Sequence, residues 1–514
     1  MIDRRSFIKS AGALTVAAAT HSLWLGNAFA AQADKPKKGG HLVVGVDNAS
    51  STDRLDPAFW FETYMYFVGS QMFNNLVEID ENAKLAPSLA ESWASTDSSK
   101  TWVLKIRQGV QFHDGRSLGA KDVVYSLNHH RGEKSTSPVK GYLDPVSSIE
   151  ATGEHEVTIK LTAPDVEFVW LLSAVHFAIT AENESFDKGI GTGAFILEKF
   201  QPGVTTLTKR NPNYWNSERG HVDSVETLAM NDSTARVAAL VSGSAQLVNR
   251  VNPRIVSRIE RMPNLKLVRA KDSMIYTFPG LSNLAPFDNV DGRLALKYAI
   301  DRQKIIDTVL GGYASVANDN PIFPSNRYFA KDIPQRPYDP EKAQFHWKKS
   351  GFSGPLTLNV ADAGFPGAVD AGQIYQQSAA KAGINLNVVR VPDDAFWNDI
   401  WQKKAFVSSN WANRPTADAL LSLVFASQSS WNESAWHVPE FDAMVKAARG
   451  EPDEARRRQI YHDIQVMLVD QGSEIIPLYA DALDGCSSKI KGFTSVPGMP
   501  LSGNRAAEKV WIEG

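Results

Sequence analysis

Few residues in this chain have the types and spacing that bond-making chemistry needs. The eleven histidines are scattered and show no metal-ligand spacing. His113, between Phe112 and Asp114 at an expected strand end, reads as structural. There is no P-loop, zinc motif or Gly-x-Ser-x-Gly, so an exported enzyme and a metal-chelate or haem carrier stand only as alternatives. The single cysteine, Cys486, permits no intrachain disulfide and no cysteine metal cluster. Binding chemistry is better represented. Trp397 and Trp401 fall at i and i+4 on a short expected helix, where one face can offer a platform to a planar or apolar group; core packing is the competing role.

Those residues must be held by a large scaffold. The first thirty residues combine Arg4-Arg5-Ser6-Phe7-Ile8-Lys9, an apolar run from Ala11 to Leu25 and Ala28-Phe29-Ala30, the order of a secretory signal with cleavage expected after Ala30. The paired arginines resemble a twin-arginine export signal, with Asp3 departing from the usual pattern. The run is too short and too rich in Ala, Ser and Thr for a membrane anchor. Near the cleavage site there is no cysteine for lipid attachment, so a free periplasmic protein is expected. Removing the leader changes the formal charge from −3 to about −5, which suggests no nucleic-acid partner. Roughly 480 residues remain, more than one core usually organises, so two or three lobes are expected. Thirteen Trp and 24 Phe supply the apolar surface.

Strand-like runs occur at 41–47, 102–106, 157–161, 205–209, 356–360, 384–391, 406–411 and 475–479. Helical periodicity marks 234–245, 292–310, 340–349, 372–382 and 454–469, the last with Arg456, Arg457 and Arg458 on or near its solvated side. Helices alternating with strands give an α/β class. No low-complexity linker interrupts the chain, so the lobes are joined by short strands or turns.

Several segments in order resemble the extracytoplasmic solute-binding proteins of peptide, nickel and opine ABC importers. They are Leu55-Asp56-Pro57, Asn75-Leu76-Val77-Glu78, the run from Leu85 to Trp93, the run from Lys105 to Gly115, and Ala120 to Ser126. Gly191-Thr192-Gly193-Ala194-Phe195, Lys209 to Trp215, Tyr298 to Arg302, Pro439-Glu440-Phe441-Asp442 and Ile475 to Tyr479 complete the series. Gly109, Gly115 and Gly193 are read as turn glycines. The resemblance implies a two-lobe periplasmic binding protein fold (type II, cluster C). Lobe I would span 39–283 plus 485–514, with an extra subdomain at about 78–190, and lobe II 284–484. It further implies a monomer without a cofactor that encloses a small molecule or peptide between its lobes and delivers it to the transmembrane subunits of an importer.

In peptide-binding members of that family, an Asp three residues after a strand-end Trp pairs with the ligand's ammonium. The corresponding stretch here is Asn410-Trp411-Ala412-Asn413-Arg414, so the acidic position holds an arginine. A guanidinium repels an ammonium and matches a carboxylate, phosphate or sulfonate as a planar fork. Arg414 is therefore expected to anchor an anionic group, with Trp411, Asn410 and Asn413 shaping the pocket. In the alternative alignment Asp418 takes the acidic role and Arg414 faces solvent. The loop holding Phe61, Glu62 and Tyr64 corresponds to one that reaches the cleft, where Glu62 can meet a cation; a plain buried loop competes.

Overall fold

Two long strands serve both halves of the molecule. In the computed structural model, which describes residues 35–394 and 396–513, Leu265–Pro279 and Glu474–Ser487 run antiparallel along almost their whole lengths. They are the spine of a nine-stranded sheet. Their register breaks between Ala270 and Met274, opposite Ala482 and Ala480. Asp272 takes a φ of 60° inside this break, and such an irregularity bends and twists its strand.

On one side of the break the sheet continues from 482–487 through Leu247–Val248, His41–Val46, Ser224–Ala229, Thr205–Arg210 and Phe195–Gln201. On the other side Ser409–Ala412 pairs with Met274 to Thr277, and Ala314–Val316 pairs with Leu478 to Ala480. Each half has its own apolar packing. The first half buries Trp60, Phe67 and Phe73 against Leu42 and Val44. In the second half, Phe278, Phe365 and Tyr375 cover one face of the sheet, and Ile275, Leu421, Phe441 and Tyr479 the other. Each fully buried Leu or Phe contributes about 1.5–3 kcal/mol, so either half has the material for a core of its own.

A third core lies under a four-stranded antiparallel sheet of Ala90–Thr96, Thr101–Ile106, Glu156–Leu161 and Val146–Gly153. It occupies the stretch expected to form an extra subdomain. All of this belongs to the compact unit that begins at Pro36. The expected leader, residues 1–30, lies outside the described residues.

Several sequence expectations need correction. The helix expected over 292–310 is two helices, Val290–Ala299 and Arg302–Val309. Asp301 separates them, its carboxylate accepting the Lys304 N–H at 3.1 Å, because an N-cap gives orphan amides a better partner than continued helix does. Arg457 does not face solvent: it is buried and donates from Nε to the Tyr328 hydroxyl at 2.6 Å. Gly193 is required by close approach and not by a turn, since a Cβ there would lie 2.4 Å from the carbonyl oxygen of Gln71. His113 joins the same contact, its Nε2 meeting the Gly193 carbonyl at 3.0 Å.

Candidate functional site

The segment around Arg414 is fixed at both ends. The strand Ser409–Ala412 holds it to the spine just past the register break. Thr416 caps the helix Ala417–Val424, its hydroxyl accepting the Ala419 N–H at 3.0 Å. Asn413 donates Nδ2 to the Asp272 carbonyl at 3.1 Å, tying the segment to the break itself.

Arg414 is half-buried. Its Nε is enclosed and has no hydrogen-bond partner, and among the described residues it takes part in no ion pair. Tyr66, Tyr142 and His176 all feel its positive charge. An enclosed donor without a partner costs about 1–3 kcal/mol, more for a charged group.

The facing groups are neutral. His176 is buried, and its Nε2 lies 2.8 Å from the Trp60 carbonyl. A carbonyl only accepts, so Nε2 carries the proton and Nδ1 is an enclosed acceptor without a partner. Burial, with the Arg414 charge adding to it, pushes the His176 pKa down to about 4, so the ring is uncharged at neutral pH. Its ring meets Tyr66 edge-on at 5.2 Å. Burial likewise holds the Tyr66 and Tyr142 hydroxyls protonated above their ordinary range.

Tyr66 lies one turn after Glu62 on the helix Thr63–Met72. Glu62 occupies the N-cap position without capping, and its Oε2 accepts from Asn48 Nδ2 at 2.8 Å. The carboxylate is exposed, yet surrounding protein raises its pKa against the opposing effects of Asn48 and Arg250. Phe61 beside it is 58% exposed. Tyr64 points into the core, its hydroxyl 3.1 Å from Thr206 Oγ1 and donating to the Thr227 carbonyl at 3.2 Å.

Trp411, Trp401, Asn410 and Asp418 have polar atoms bonded to protein partners. Alternation along the strand sends Ser409 and Trp411 inward, where Glu433 accepts from Trp411 Nε1 at 2.7 Å, from Ser409 Oγ at 2.6 Å and from Trp401 Nε1. Burial raises the Glu433 pKa, and its charge raises that of neighbouring Glu474 further. Trp431 and Trp401 complete an aromatic shell around Trp411, with ring centroids 5.7 and 6.3 Å away. Trp397 meets Trp401 edge-on at 5.8 Å and is 44% exposed. Its helix, Phe396–Asp399, stops before Trp401. Asn410 donates to the Gly364 carbonyl. Asp418 is buried, and Arg449 Nε lies 3.1 Å from each of its oxygens.

Asp418 also belongs to a contact between the four-stranded subdomain and the second half of the spine sheet. The Val166 N–H donates to the Arg449 carbonyl at 3.1 Å. Glu167 accepts from Arg327 and, at 3.0 Å, from the Tyr461 hydroxyl. The Arg327 guanidinium lies over the Trp170 ring at 4.3 Å. Burial, with the Asp418 charge adding to it, pushes Asp165 up to about 7. The sequence offered no sign of this contact, nor of His176 and Tyr142 beside Arg414. Tyr66 alone had a local cue, its i+4 spacing from Glu62.

Two sheet halves joined by long strands define the two-lobe fold of the type II, cluster C binding proteins. The chain belongs to family 5 of the bacterial extracellular solute-binding proteins, whose middle segment matches residues 84–432. It is 27% identical over 484 residues to the glutathione-binding protein GsiB of Escherichia coli, covering 90% of this chain and 93% of that protein. It is 26% identical over 488 residues to heme-binding protein A of Haemophilus influenzae, covering 86% of this chain and 88% of the relative. The PBP AgaA from A.tumefacien, solved in complex with agropinic acid, superposes with a TM-score of 0.78 at 21% identity over 92% of this chain and 99% of AgaA. Among the described residues no helix is long and apolar enough to cross a membrane, and no group of three or more His, Cys, Asp or Glu could hold a metal ion.

Proposed function

We propose that this protein is the extracytoplasmic solute-binding component of an ABC importer and that it captures a peptide-sized solute through a carboxylate held by Arg414. The observation that carries this reading is the Arg414 guanidinium, which has an enclosed donor without a partner and, among the described residues, no ion pair. The names of the relatives support it, since glutathione, heme and agropinic acid all bear carboxyl groups. The solute is enclosed when the two lobes, 39–283 with 485–514 and 284–484, rotate toward one another about the strands that join them. The closed pair is what the importer's membrane subunits receive. Asp418 is buried with its charge already compensated by Arg449, which favours Arg414 as the anchor.

The test is a thermal-shift screen of protein denatured and refolded to strip any carried ligand, with opines, short peptides, glutathione and sugar acids beside their amides or esters. A ligand that binds only the folded state raises the midpoint by mass action. Acids should stabilise and their neutral derivatives should not. Equal stabilisation by both forms would defeat the assignment.

A further inference from the structure

We propose that Glu433 and Glu474 form a buried carboxyl pair holding one proton between them, and that the anion of the pair, Glu433, positions the strand leading to Arg414. The proposal concerns how that strand is held and stands whether or not Arg414 meets a carboxylate. Both side chains are 2% exposed. Ser409 and Thr277 lie opposite one another where Ser409–Ala412 pairs with the spine, so their side chains leave the same face of the sheet. Ser409 Oγ donates to Glu433 Oε2 at 2.6 Å, and Thr277 Oγ1 lies 3.2 Å from Glu474 Oε2. Neighbouring hydroxyls thereby bring the two carboxyls together in an interior where two like charges are costly.

The hydrogen bonds show where the proton sits. Each oxygen of Glu433 meets an indole N–H, which can only donate: Trp411 Nε1 at 2.7 Å on Oε1, and Trp401 Nε1 on Oε2. A proton on either oxygen would face one of them, so Glu433 is the anion. Glu474 is the reverse. Thr277 Oγ1 also lies 3.3 Å from the Ile475 carbonyl oxygen, which can only accept. The hydroxyl has one proton; it serves that carbonyl, and Glu474 Oε2 supplies the proton shared with Thr277. Glu474 Oε1 is buried without a partner, a place that suits the carbonyl oxygen of an acid better than half of a carboxylate. Lys297, the cation whose charge acts on Glu474, directs its Nζ to the Leu468 and Val469 carbonyls at 3.1 and 2.9 Å. The loop carrying Glu433 is itself fixed, because the Ser282 N–H donates to the Ser434 carbonyl at 2.8 Å and Ser282 Oγ to the Ala435 carbonyl at 2.6 Å. Glu433 is thus a rigid charged acceptor for Trp411, which stands three positions before Arg414.

Infrared difference spectra of the wild type against Glu474→Gln and against Glu433→Gln, taken at neutral pH, test the assignment. Hydrogen exchange read by mass spectrometry over 409–414 tests the positioning. Glu474→Gln should remove the carbonyl stretch of one protonated carboxyl, and Glu433→Gln that of one carboxylate. Glu474→Gln should leave exchange at the wild-type rate, since its amide N–H replaces the acid proton toward Thr277. The Glu433→Gln amide faces an indole N–H with its own NH2 whichever way it turns, so exchange should quicken about tenfold or more, the loss of one charge-assisted contact. Should Glu433→Gln fail to fold, the Glu474→Gln spectrum alone decides. An acid band unchanged in Glu474→Gln, an acid band lost in Glu433→Gln, or exchange quickened as much by Glu474→Gln as by Glu433→Gln overturns the proposal.

Discussion

The contact of Glu167 with Arg327 and Tyr461 offers a way to perturb binding without touching the solute. Glu167→Gln removes the buried charge and keeps the side-chain shape. Charge-assisted hydrogen bonds are worth about 1.5–3 kcal/mol against about 0.5–1.5 for neutral ones, so the substitution costs on the order of 1–2 kcal/mol before solvation is counted. Burial raises the Glu167 pKa despite Arg327, so desolvation already offsets much of the attraction, and one third of the Arg327 side chain is exposed. The net effect belongs near 1 kcal/mol, about fivefold in an equilibrium constant. If the contact forms only when the lobes close, that loss falls on the closure equilibrium and reduces apparent affinity by the same factor. Calorimetry with a solute from the screen should show binding about fivefold weaker in Glu167→Gln, and small-angle scattering should show a larger ligand-free radius of gyration. Unchanged affinity with a lowered thermal midpoint would refute this, because the contact would then lie within one rigid body.

Other outcomes follow from buried groups. Asp165 and Asp484 have folded pKa values of about 7, raised chiefly by burial. Their contribution to stability is therefore fully present below about pH 4 and lost as the pH rises through 7. The midpoint of an Asp165→Asn, Asp484→Asn variant, measured relative to wild type, should rise between pH 5 and 8; a flat difference would show that the two carboxyls do not titrate there. Gly193→Ala places a methyl 2.4 Å from the Gln71 carbonyl oxygen, an overlap that should cost about 1–3 kcal/mol and lower the thermal midpoint by several degrees. Asp301→Ala removes the cap at the start of Arg302–Val309 and should cost about 1 kcal/mol in a urea titration, with ligand affinity unchanged.

The parts of the fold that were legible in the sequence are those set by local rules. Asp339 and Asp453 cap the helices Pro340–Ser350 and Glu454–Gln471, and apolar spacing inside those helices marked them without reference to the rest of the chain. Leu265–Pro279 escaped notice because Lys266, Arg269, Lys271 and Asp272 interrupt its alternation. Arg269 is accommodated by Asp481 on the partner strand, more than two hundred residues away, a pairing no local window contains. The site divides in the same way. Arg414 stood out because its charge was opposite to the one expected there, and Glu62 because its loop corresponds to one expected to reach the cleft. Tyr142 and His176 feel the Arg414 charge across more than two hundred residues of sequence, a proximity no local window contains. The inward set of Trp401 and Trp411 could not be read locally, because the acceptor that holds them, Glu433, is hidden in Asn432-Glu433-Ser434.

The central claim is that Arg414 holds the solute's carboxylate, and calorimetry of stripped wild type, Arg414→Ala and Arg414→Lys with one acid and its carboxamide tests it most directly. Losing one member of an enclosed charge pair costs about 2–5 kcal/mol, or about 30-fold and upward in affinity. Wild type should prefer the acid strongly. Arg414→Ala should bind it at least about 30-fold more weakly and no longer distinguish it from the amide. Arg414→Lys, keeping the charge without the fork, should fall between them. Wild-type affinity for the acid in Arg414→Ala, with the preference over the amide intact, would contradict the account.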